Sequence, residues 1–447
     1  MTAPDGLHAL LFGEAGVAEC LSDRARLQAM LDVEVALAEA EADVGVVPAG
    51  VVEPIRQAAR AELYDRAALA TEAARAGNIA IPLVEHLTRR VASIDLEASR
   101  YVHWGATSHD ILDTSVALQL RAAAPRLLGH FERAAAAAAA HARRHRLTPI
   151  AGRTWLQQAT PTTFGLKAAG WLDALERTRR LVDDGFSGAR VLQFGGASGT
   201  LAALGADAMA VSRALAGRLG LELPPAPWHG HRDRFIQLAC TLGVATGTLG
   251  KIARDVALLS QTEVREVLPG SAGGSSTMPH KRNPVAAGVA IAGAIRVPGL
   301  VASMLSGMPQ EHERGLGGWQ AEWDVLPQIV LLTAGAARAV ADTLETLIVD
   351  AARMRENLDI TQGLTQAEAV AIALARHVGK QEAHAIVEAA CRRAVSEART
   401  LAEVLVDDGA VTAVMTREAI DRCLSPEEYL GAADAFVERI LSTWKRE

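Results

Sequence analysis

The chain has 447 residues, of which 50% are hydrophobic but only 4% aromatic, and it carries a formal net charge of −7 at pH 7. This length and apolar content suffice for several cores or one elongated assembly, and the Ala-, Leu-, Glu- and Arg-rich composition favours helices. Because the net charge is negative and no long block of like charges occurs, the composition argues against a nucleic-acid partner, and an anionic substrate needs a local positive site.

Two further whole-chain features narrow the class of protein. The four cysteines lie far apart and form no CxxC pair, which fits reduced thiols better than a disulfide framework or a metal knuckle. The N-terminal stretch MTAPDGLHALLFG lacks a basic segment followed by an apolar one, and we find no apolar run of the ~20 residues that a membrane span needs. We therefore predict a cytoplasmic protein that contacts no membrane.

In chain order, the pattern predicts an N-terminal helical region that ends near the turn-like HWGATSHD at 103–110. Apolar residues at helical rather than alternating spacing then predict long helices at 111–146, 160–184, 235–259, 285–305 and 325–348. Shorter amphipathic helices follow the stretch near 358–365. The sequence thus predicts an all-α chain in three parts, with a central bundle of long helices; the predicted domains are 1–104, 105–360 and 361–447.

The predicted helix at 235–259 carries the most regular pattern. Its apolar residues alternate spacings of three and four, a heptad seam typical of long bundles with left-handed crossings; they are Phe235, Leu238, Leu242, Ala245, Leu249, Ile252, Val256 and Leu259. The helix ends just before a Gly- and Ser-rich stretch, so we expect the bundle to hold that stretch at its end. GGASGT at 195–200 and the Pro-rich LELPPAPW at 221–228 are predicted loops.

The stretch GSAGGSSTMPHKRNP at 270–284 is the strongest candidate for a functional loop. Its glycines permit the backbone motions of a closing loop, and two adjacent serines are followed by the cations Lys281 and Arg282. A serine hydroxyl is a poor acid or base until burial, backbone donors and a nearby cation activate it. The chain has no Walker-type or dinucleotide-binding glycine motif, and no second ligand stands near His280, so we predict neither a cofactor nor a metal.

Three segments resemble, in order, the sequence blocks of the fumarase/aspartase superfamily. They are GATSHDILDT at 105–114, GRTWLQQATP at 152–161 and GSSTMPHKRNP within the loop. The resemblance implies a homotetramer with a tetrameric helical core, active sites shared between subunits, and a small carboxylate substrate. It also implies that Ser275 moves a proton at the carbon beside a substrate carboxylate.

The same resemblance assigns residues to the carboxylate itself. Lys281 counts as catalytic with Ser275, because it stabilises the charge of an enediolate-like intermediate. Four residues are predicted to hold the carboxylate; they are Lys281, Asn283, Thr107 and Ser108. A carbon acid of this kind is too weak to exchange its proton unless such donors and cations are preorganised around the carboxylate.

Trp155 departs from the superfamily pattern, which usually reads GRTH in the second block. That histidine is the lyases' general acid or part of it, and an indole N–H does not titrate in a useful range. A carboxylate that adds to a double bond of its own molecule needs no such acid, because it is a weak base. Trp155 then fits an apolar wall for a diene. Two alternatives stay open, a packing tryptophan and the ammonia-lyase branch, which also lacks the histidine.

Two later stretches, QEHERGLGGWQAEW at 310–323 and SPEEYLGAADAFVERIL at 425–441, resemble the cycloisomerase branch of the superfamily. Arg314 in the first is predicted to pair with a further substrate carboxylate, as a planar guanidinium does well. The alternative is a solvated arginine at a helix end, which contributes little.

Three residues outside the loop complete the predicted site. His103 is predicted to bind substrate or to adjust the charge of the site, with a hydrogen-bonded structural histidine as the alternative. Asn78 is interpreted as replacing a histidine that assists the general acid in adenylosuccinate lyase. His109, within the first block, is not predicted to be catalytic.

The resemblance therefore favours an intramolecular lyase that acts on a small tricarboxylate in aromatic-acid breakdown. The first rival is an adenylosuccinate lyase-like enzyme that breaks a C–N bond and releases fumarate. The second is a catalytically inactive helical scaffold, against which the presence of Ser275, Lys281 and Asn283 argues.

Overall fold

The chain folds almost entirely into α-helices, which confirms the predicted fold class. The computed structural model describes residues 8–270, 273, 278 and 281–444. In that part of the chain the α-helices are α1 (Ala9–Phe12), α2 (Ala15–Cys20), α3 (Asp23–Val44), α4 (Val52–Ala58), α5 (Arg66–Ala76), α6 (Ala80–Ala92), α7 (Ser108–Arg144), α8 (Phe164–Ala189), α9 (Ala208–Leu219), α10 (Asp233–Leu259), α11 (Val285–Gly307), α12 (Gly318–Thr346), α13 (Ala351–Asp359), α14 (Ala367–Val378), α15 (Lys380–Glu397), α16 (Leu401–Val406), α17 (Gly409–Thr412), α18 (Arg417–Leu424) and α19 (Ala433–Trp444).

Shorter elements connect these helices. Single 3₁₀ turns lie at Ala49–Val51, Ala61–Leu63, Ala98–Tyr101, Ala202–Asp207, Leu364–Gln366 and Pro426–Tyr429. The strands form two antiparallel pairs in the described residues, β1 (Pro149–Thr154) with β2 (Gln157–Thr163) and β3 (Val267–Leu268) with β4 (Ile348–Val349). The pair β1–β2 was not predicted, because its polar, Gly- and Thr-containing sequence lacks the apolar alternation of a half-buried strand. Helix α8 therefore begins at Phe164, later than predicted.

Contacts divide the chain into two units whose segments alternate along the sequence. Unit 1 comprises residues 1–130, 178–250 and 289–338, and unit 2 comprises residues 131–177, 251–288 and 339–447. A large apolar core in unit 1 includes buried residues of α3, α6 and α9, and a second core in unit 2 includes those of α14, α15 and α16. The three domains predicted from the sequence stay a prediction. The two units are defined by contacts rather than by continuous stretches of sequence, and their boundaries fall inside long helices such as α7 and α10.

Three helices in the described part of the chain, α10, α11 and α12, are long and apolar enough to cross a membrane by length and composition. The prediction that no such stretch exists was wrong by this measure, because it required an unbroken apolar run, and these helices interleave small and polar residues with Leu, Val and Ile. Of the most apolar 18-residue window of each helix, 56% is buried in α10, 67% in α12 and only 33% in α11. The most apolar window of α11 therefore keeps the largest share of unburied residues of the three.

Glu41 is a buried carboxyl group in the core of unit 1. It lies in α3, it is fully buried, and neither carboxyl oxygen has a hydrogen-bond partner in the described residues. Burial, with a further contribution from the Glu34 charge, raises the pKa of Glu41 to about 9. The folded chain therefore holds a proton at neutral pH that the unfolded chain releases.

Glutamine at position 41 is expected to raise the free energy of unfolding in alkaline solution and to change it little near pH 4.5. Since the folded-state pKa of Glu41 lies above its ordinary value of 4.5, wild-type stability falls as the pH rises from that value to about 9. The expected gain at about pH 8 is ~5 kcal/mol, since each pH unit between the two pKa values contributes ~1.4 kcal/mol, and it is measured by urea unfolding. Glu39→Gln is the matched control, because Glu39 lies in the same helix but pairs at the surface with Arg218. An equal gain at every pH would contradict the protonation argument.

Candidate active site

The second sequence block folds as a β-hairpin in unit 2. Strands β1 and β2 pair with Thr154 opposite Gln157, so Trp155 and Leu156 form a two-residue turn. Both turn residues have positive φ, 53° and 65°, which a tight hairpin turn requires and bulky side chains rarely adopt. Trp155 is 96% exposed and Leu156 81% exposed. Trp155 therefore does not pack in the core of its own chain, which removes that alternative and leaves its predicted role as a pocket wall.

The hairpin is held by a buried carboxylate that the sequence analysis missed. Glu266 is fully buried and accepts two hydrogen bonds from the Arg153 guanidinium, at 2.8 and 2.7 Å, and one from Asn357 Nδ2 at 2.8 Å. Gln158 on β2 donates to the Asn357 carbonyl at 2.9 Å. A bidentate arginine–carboxylate pair fixes the orientation of the arginine side chain and also stabilises the contact. The strand residues next to the Trp155 turn are therefore held in place.

The described part of the 270–284 loop shows how its ends are fixed in unit 2. Gly273 and Asn283 exchange two backbone hydrogen bonds, at 3.1 and 3.3 Å, and so close the loop at its base. Gly270 lies so close to the Thr346 carbonyl that any Cβ there would collide with it. Glycine at 270 is therefore required by close packing, a reason separate from the mobility that the sequence suggested.

The first sequence block forms the N-terminal turn of α7 in unit 1. Thr107 precedes the helix, and its N–H donates to the Asp110 carboxylate at 3.0 Å, a bond typical of a capped helix start. Its hydroxyl accepts a hydrogen bond from the Arg314 guanidinium at 3.0 Å. Ser108, half-buried, is the first residue of the helix. Both predicted carboxylate ligands thus lie at a helix N-terminus, where the backbone dipoles favour an anion.

Arg314 is held against the same turn by three hydrogen bonds. Besides the bond to Thr107, its guanidinium donates to the carbonyls of Gly196 and Ala197, at 3.0 and 2.8 Å. These bonds place the 195–200 loop beside the Thr107 turn, and they remove the alternative of a merely solvated arginine. The pairing of Arg314 with a substrate carboxylate stays a prediction.

A second carboxylate that the sequence analysis passed over lies beneath this surface. Asp110 is 1% exposed and accepts hydrogen bonds from His229 Nε2 at 2.7 Å and from the backbone amides of Gly195 and Gly196, each at 2.9 Å. The sequence did offer one signal of a structural role for Asp110: it lies three residues after Thr107, where a carboxylate commonly caps the start of a helix. Nothing in the sequence indicated that residues 195, 196 and 229 would meet it.

A buried ion cluster supports the first turns of α7. Arg232 donates to Asp113 at 2.6 Å and to Glu322 at 2.7 Å, and Trp319 Nε1 donates to Asp113 at 3.0 Å. Burial is the largest single influence on Asp113 and would raise its pKa, but the charges and hydrogen bonds of Arg232 and His109 together outweigh burial and hold that pKa well below its usual range. Burial raises the pKa of Glu322. His109, fully buried, stacks on Trp319 with ring centres 3.7 Å apart, and burial lowers its pKa; it therefore has a structural environment.

His103 and Asn78 also make contacts within unit 1. His103 Nδ1–H donates to the buried Glu34 carboxylate at 2.7 Å. Burial would lower the pKa of His103, but the Glu34 charge and hydrogen bond outweigh it, so the net shift is upward. The Asn78 side chain accepts from two backbone amides at the start of α6 and lines a cavity of about 670 Å³. Their roles toward substrate stay predictions.

The predicted site residues thus divide between the units. Those in unit 1 are Asn78, His103, Thr107, Ser108 and Arg314, and those in unit 2 are Trp155, Lys281 and Asn283. Among them, Thr107 and Arg314 are in direct contact. Lys281 is exposed. Ser275 lies outside the described residues.

Comparison with known proteins places the chain in a family. Residues 16–299 match the family described as lyase. The chain belongs to the lyase family. Residues 363–440 in addition match the family described as the adenylosuccinate lyase C-terminus. Membership of the lyase family confirms the resemblance drawn from the three sequence blocks, and the chain is an enzyme.

Three relatives within the lyase family cover nearly the whole chain. The 3-carboxy-cis,cis-muconate cycloisomerase of Pseudomonas aeruginosa is 55% identical over 96% of this chain and 95% of its own length. The protein of the same name from Bradyrhizobium diazoefficiens is 50% identical over 100% of both chains. The crystal structure of the 3-carboxy-cis,cis-muconate lactonizing enzyme from Pseudomonas putida matches with a TM-score of 0.94 at 50% identity, over 98% of this chain and 99% of that one.

Proposed function

We propose that the protein is a cycloisomerase that converts 3-carboxy-cis,cis-muconate to 4-carboxymuconolactone, in aromatic-acid breakdown through protocatechuate. Relatives that carry the cycloisomerase name share half or more of its residues over nearly its full length. The observation in the chain itself that carries the proposal is Trp155, which stands where the lyases have an acid histidine and is exposed at a hairpin turn. This favours the cycloisomerase over the C–N lyase alternative.

The reaction is an isomerisation in which all atoms are retained. A carboxylate oxygen of the substrate forms a bond to one carbon of a double bond, and the π electrons of that double bond form the new C–H bond at the adjacent carbon with the proton of the Ser275 hydroxyl. The serine alkoxide then regains a proton from solvent, so the enzyme returns to its starting state. Since no leaving group needs protonation, tryptophan in place of the histidine is compatible with turnover. Lys281 and Asn283 hold the carboxylate beside the reacting carbon. The Thr107 turn adds donors preorganised for the enediolate-like charge.

The test is the loss of ultraviolet diene absorbance when the purified protein is given 3-carboxymuconate, with adenylosuccinate assayed in parallel for fumarate release. Adenylosuccinate is included because residues 363–440 match the adenylosuccinate lyase C-terminus. We expect turnover of the muconate alone. Fumarate release without loss of the diene would transfer the assignment to a C–N lyase, and no turnover of either compound would overturn it.

We also propose that the chain forms a homotetramer with active sites shared between subunits. Helix α11 supports self-association, because its outward face carries uncharged, mostly small residues at spacings of three and four; they are Gly288, Ala292, Ile295, Gly299 and Ala302. Small residues at this spacing let a second helix approach closely. The exposed Trp155 turn supports sharing of sites, since an apolar turn of this kind is better suited to a partner's surface than to water.

Lysine at position 295 is expected to break the assembly into smaller species and to abolish turnover with it. Ile295 is 69% exposed in the single chain, so lysine leaves the chain's own core intact, whereas burying an ammonium group at a helix interface costs several kcal/mol. The mass is measured by light scattering during gel filtration. Val395→Lys on α15 is the matched control, at 68% exposure. A wild-type mass for the Ile295→Lys variant would rule out this face as an interface.

A further inference from the structure

We propose that Asp110 is a positioning residue for substrate binding, which fixes the 195–200 loop against the Thr107 turn so that both segments meet one carboxylate-bearing ligand. The inference rests on the proposed function in one respect, since it takes the Thr107 turn as the surface that holds a substrate carboxylate. Asp110 itself contacts no substrate in this scheme, because it is buried.

The first argument is the number of donors that one carboxylate collects. Asp110 accepts four hydrogen bonds from three separate parts of the sequence; the donors are Thr107 N–H, Gly195 N–H, Gly196 N–H and the His229 ring. The two oxygens of a carboxylate offer about four acceptor sites, so Asp110 is saturated by the protein. Hydrogen bonds to a charged acceptor are roughly twice as strong as neutral ones. The carboxylate is therefore well suited to hold the two backbone segments in one position.

The second argument is that the loop is held from its other side as well. Arg314, which is half-buried, donates to the carbonyls of Gly196 and Ala197 and to the Thr107 hydroxyl. Asp110 thus fixes the N–H groups of this short segment, and Arg314 fixes its carbonyl groups. Both residues also bond to Thr107, so the loop and the turn are tied together twice.

The third argument is direct contact between the loop and the first sequence block. Gly196 has a φ of 67°, and an added Cβ would meet the Gly105 carbonyl oxygen at 3.0 Å. Only glycine adopts this conformation without strain and permits so close an approach. Just beyond this point Ala197 and Ser198 are exposed. The hydrogen bonds from Asp110 and Arg314 therefore hold an exposed loop tip next to the predicted carboxylate site.

Asparagine at position 110 keeps the size of the side chain but replaces one acceptor oxygen by a donor NH₂, which then opposes backbone N–H groups. We expect the Kd of a tricarboxylate probe, propane-1,2,3-tricarboxylate, to rise by about 10- to 100-fold in calorimetry, since a shift of ~1 Å in a positioning group can cost that much. Thr114→Val is the matched control. Thr114 lies in the same helix and exchanges two buried hydrogen bonds with the Gln193 backbone, at 2.8 and 3.0 Å, and these two bonds go neither to residues 195–200 nor to Thr107.

The control separates positioning from general destabilisation. We expect Thr114→Val to lower the melting temperature while its Kd stays near that of the wild type. If Asp110→Asn fails to fold, Gly196→Ala replaces it, because its added methyl group strains the loop at the Gly105 carbonyl; the same rise in Kd is expected. Three results would each overturn the inference. They are an equal rise in Kd for Asp110→Asn and Thr114→Val, an unchanged Kd for Asp110→Asn or Gly196→Ala, and no binding of the probe by the wild type. Failure of the muconate assay alone would instead overturn the proposed reaction.

Discussion

Alanine at position 275 is expected to lower kcat for 3-carboxymuconate by about 10²–10⁴-fold, the usual contribution of a positioned acid or base. The hydroxyl that it removes is the proposed source of the proton that reaches the substrate carbon, and no other atom is lost. The residues that hold the carboxylate remain, so we expect KM to change much less than kcat. Turnover is followed by the loss of diene absorbance, and far-ultraviolet circular dichroism checks that the helical fold is retained.

The adjacent serine offers a matched control for this prediction. Ser276→Ala removes the same group one residue further along the loop, and we expect it to keep most of the wild-type kcat. Equal losses in both variants would show that the loop needs its two hydroxyls as a pair rather than Ser275 as the proton donor. An undiminished kcat in Ser275→Ala would end the serine mechanism altogether.

Methionine at position 232 is expected to lower the free energy of unfolding by about 3–5 kcal/mol, the cost of leaving buried charges unpaired. Arg232 is buried between the carboxylates of Asp113 and Glu322, and both would lose their cationic partner. Without that charge the folded-state pKa of each carboxyl group rises, so the folded chain gains protons and the deficit shrinks as the pH falls. Urea unfolding at several pH values and one protein concentration measures it.

Two companion variants sharpen the interpretation. Arg218→Met removes an arginine whose side chain is 35% exposed and pairs with the half-buried Glu39 and the exposed Asp43, and we expect a loss of about 1 kcal/mol or less. Combining Arg232→Met with Asp113→Asn and Glu322→Gln removes all three charges and should recover part of the loss. A deficit that is the same with and without the two carboxylates would mean that Arg232 acts through packing alone.

Much of this architecture could be predicted from local pattern. The seam from Phe235 to Leu259 predicted a long helix, and α10 spans Asp233–Leu259. Apolar periodicity also placed α7 and α11 close to their observed bounds. These predictions succeeded because the positions that make one helix face apolar are three and four residues apart, within reach of inspection along the chain.

The supporting residues of the candidate site could not be found in the same way. Glu266 meets Arg153 across more than a hundred positions of sequence, and Asp110 meets the amides of Gly195 and Gly196. A buried acid has no local signature, because its hydrogen-bond partners are defined by three-dimensional packing rather than by spacing. The β1–β2 hairpin was missed for a related reason: its strands lack apolar alternation, and the Arg153–Glu266 contact that braces it joins residues far apart in the sequence.

The order of residues along the chain was enough to predict the helical class and the lyase family, and through the resemblance it indicated tryptophan at 155 in place of the lyases' histidine, since each depends on residue types at short, fixed spacings. Only the tertiary structure decided that Trp155 stands exposed on a braced turn and that Arg314 joins a distant loop to Thr107. The same holds for Asp110, which fastens that loop from beneath. Such contacts depend on which segments the packed helices bring within about 3 Å of one another. Residue spacing along the chain does not reveal these pairings, because they form only when the whole chain has folded.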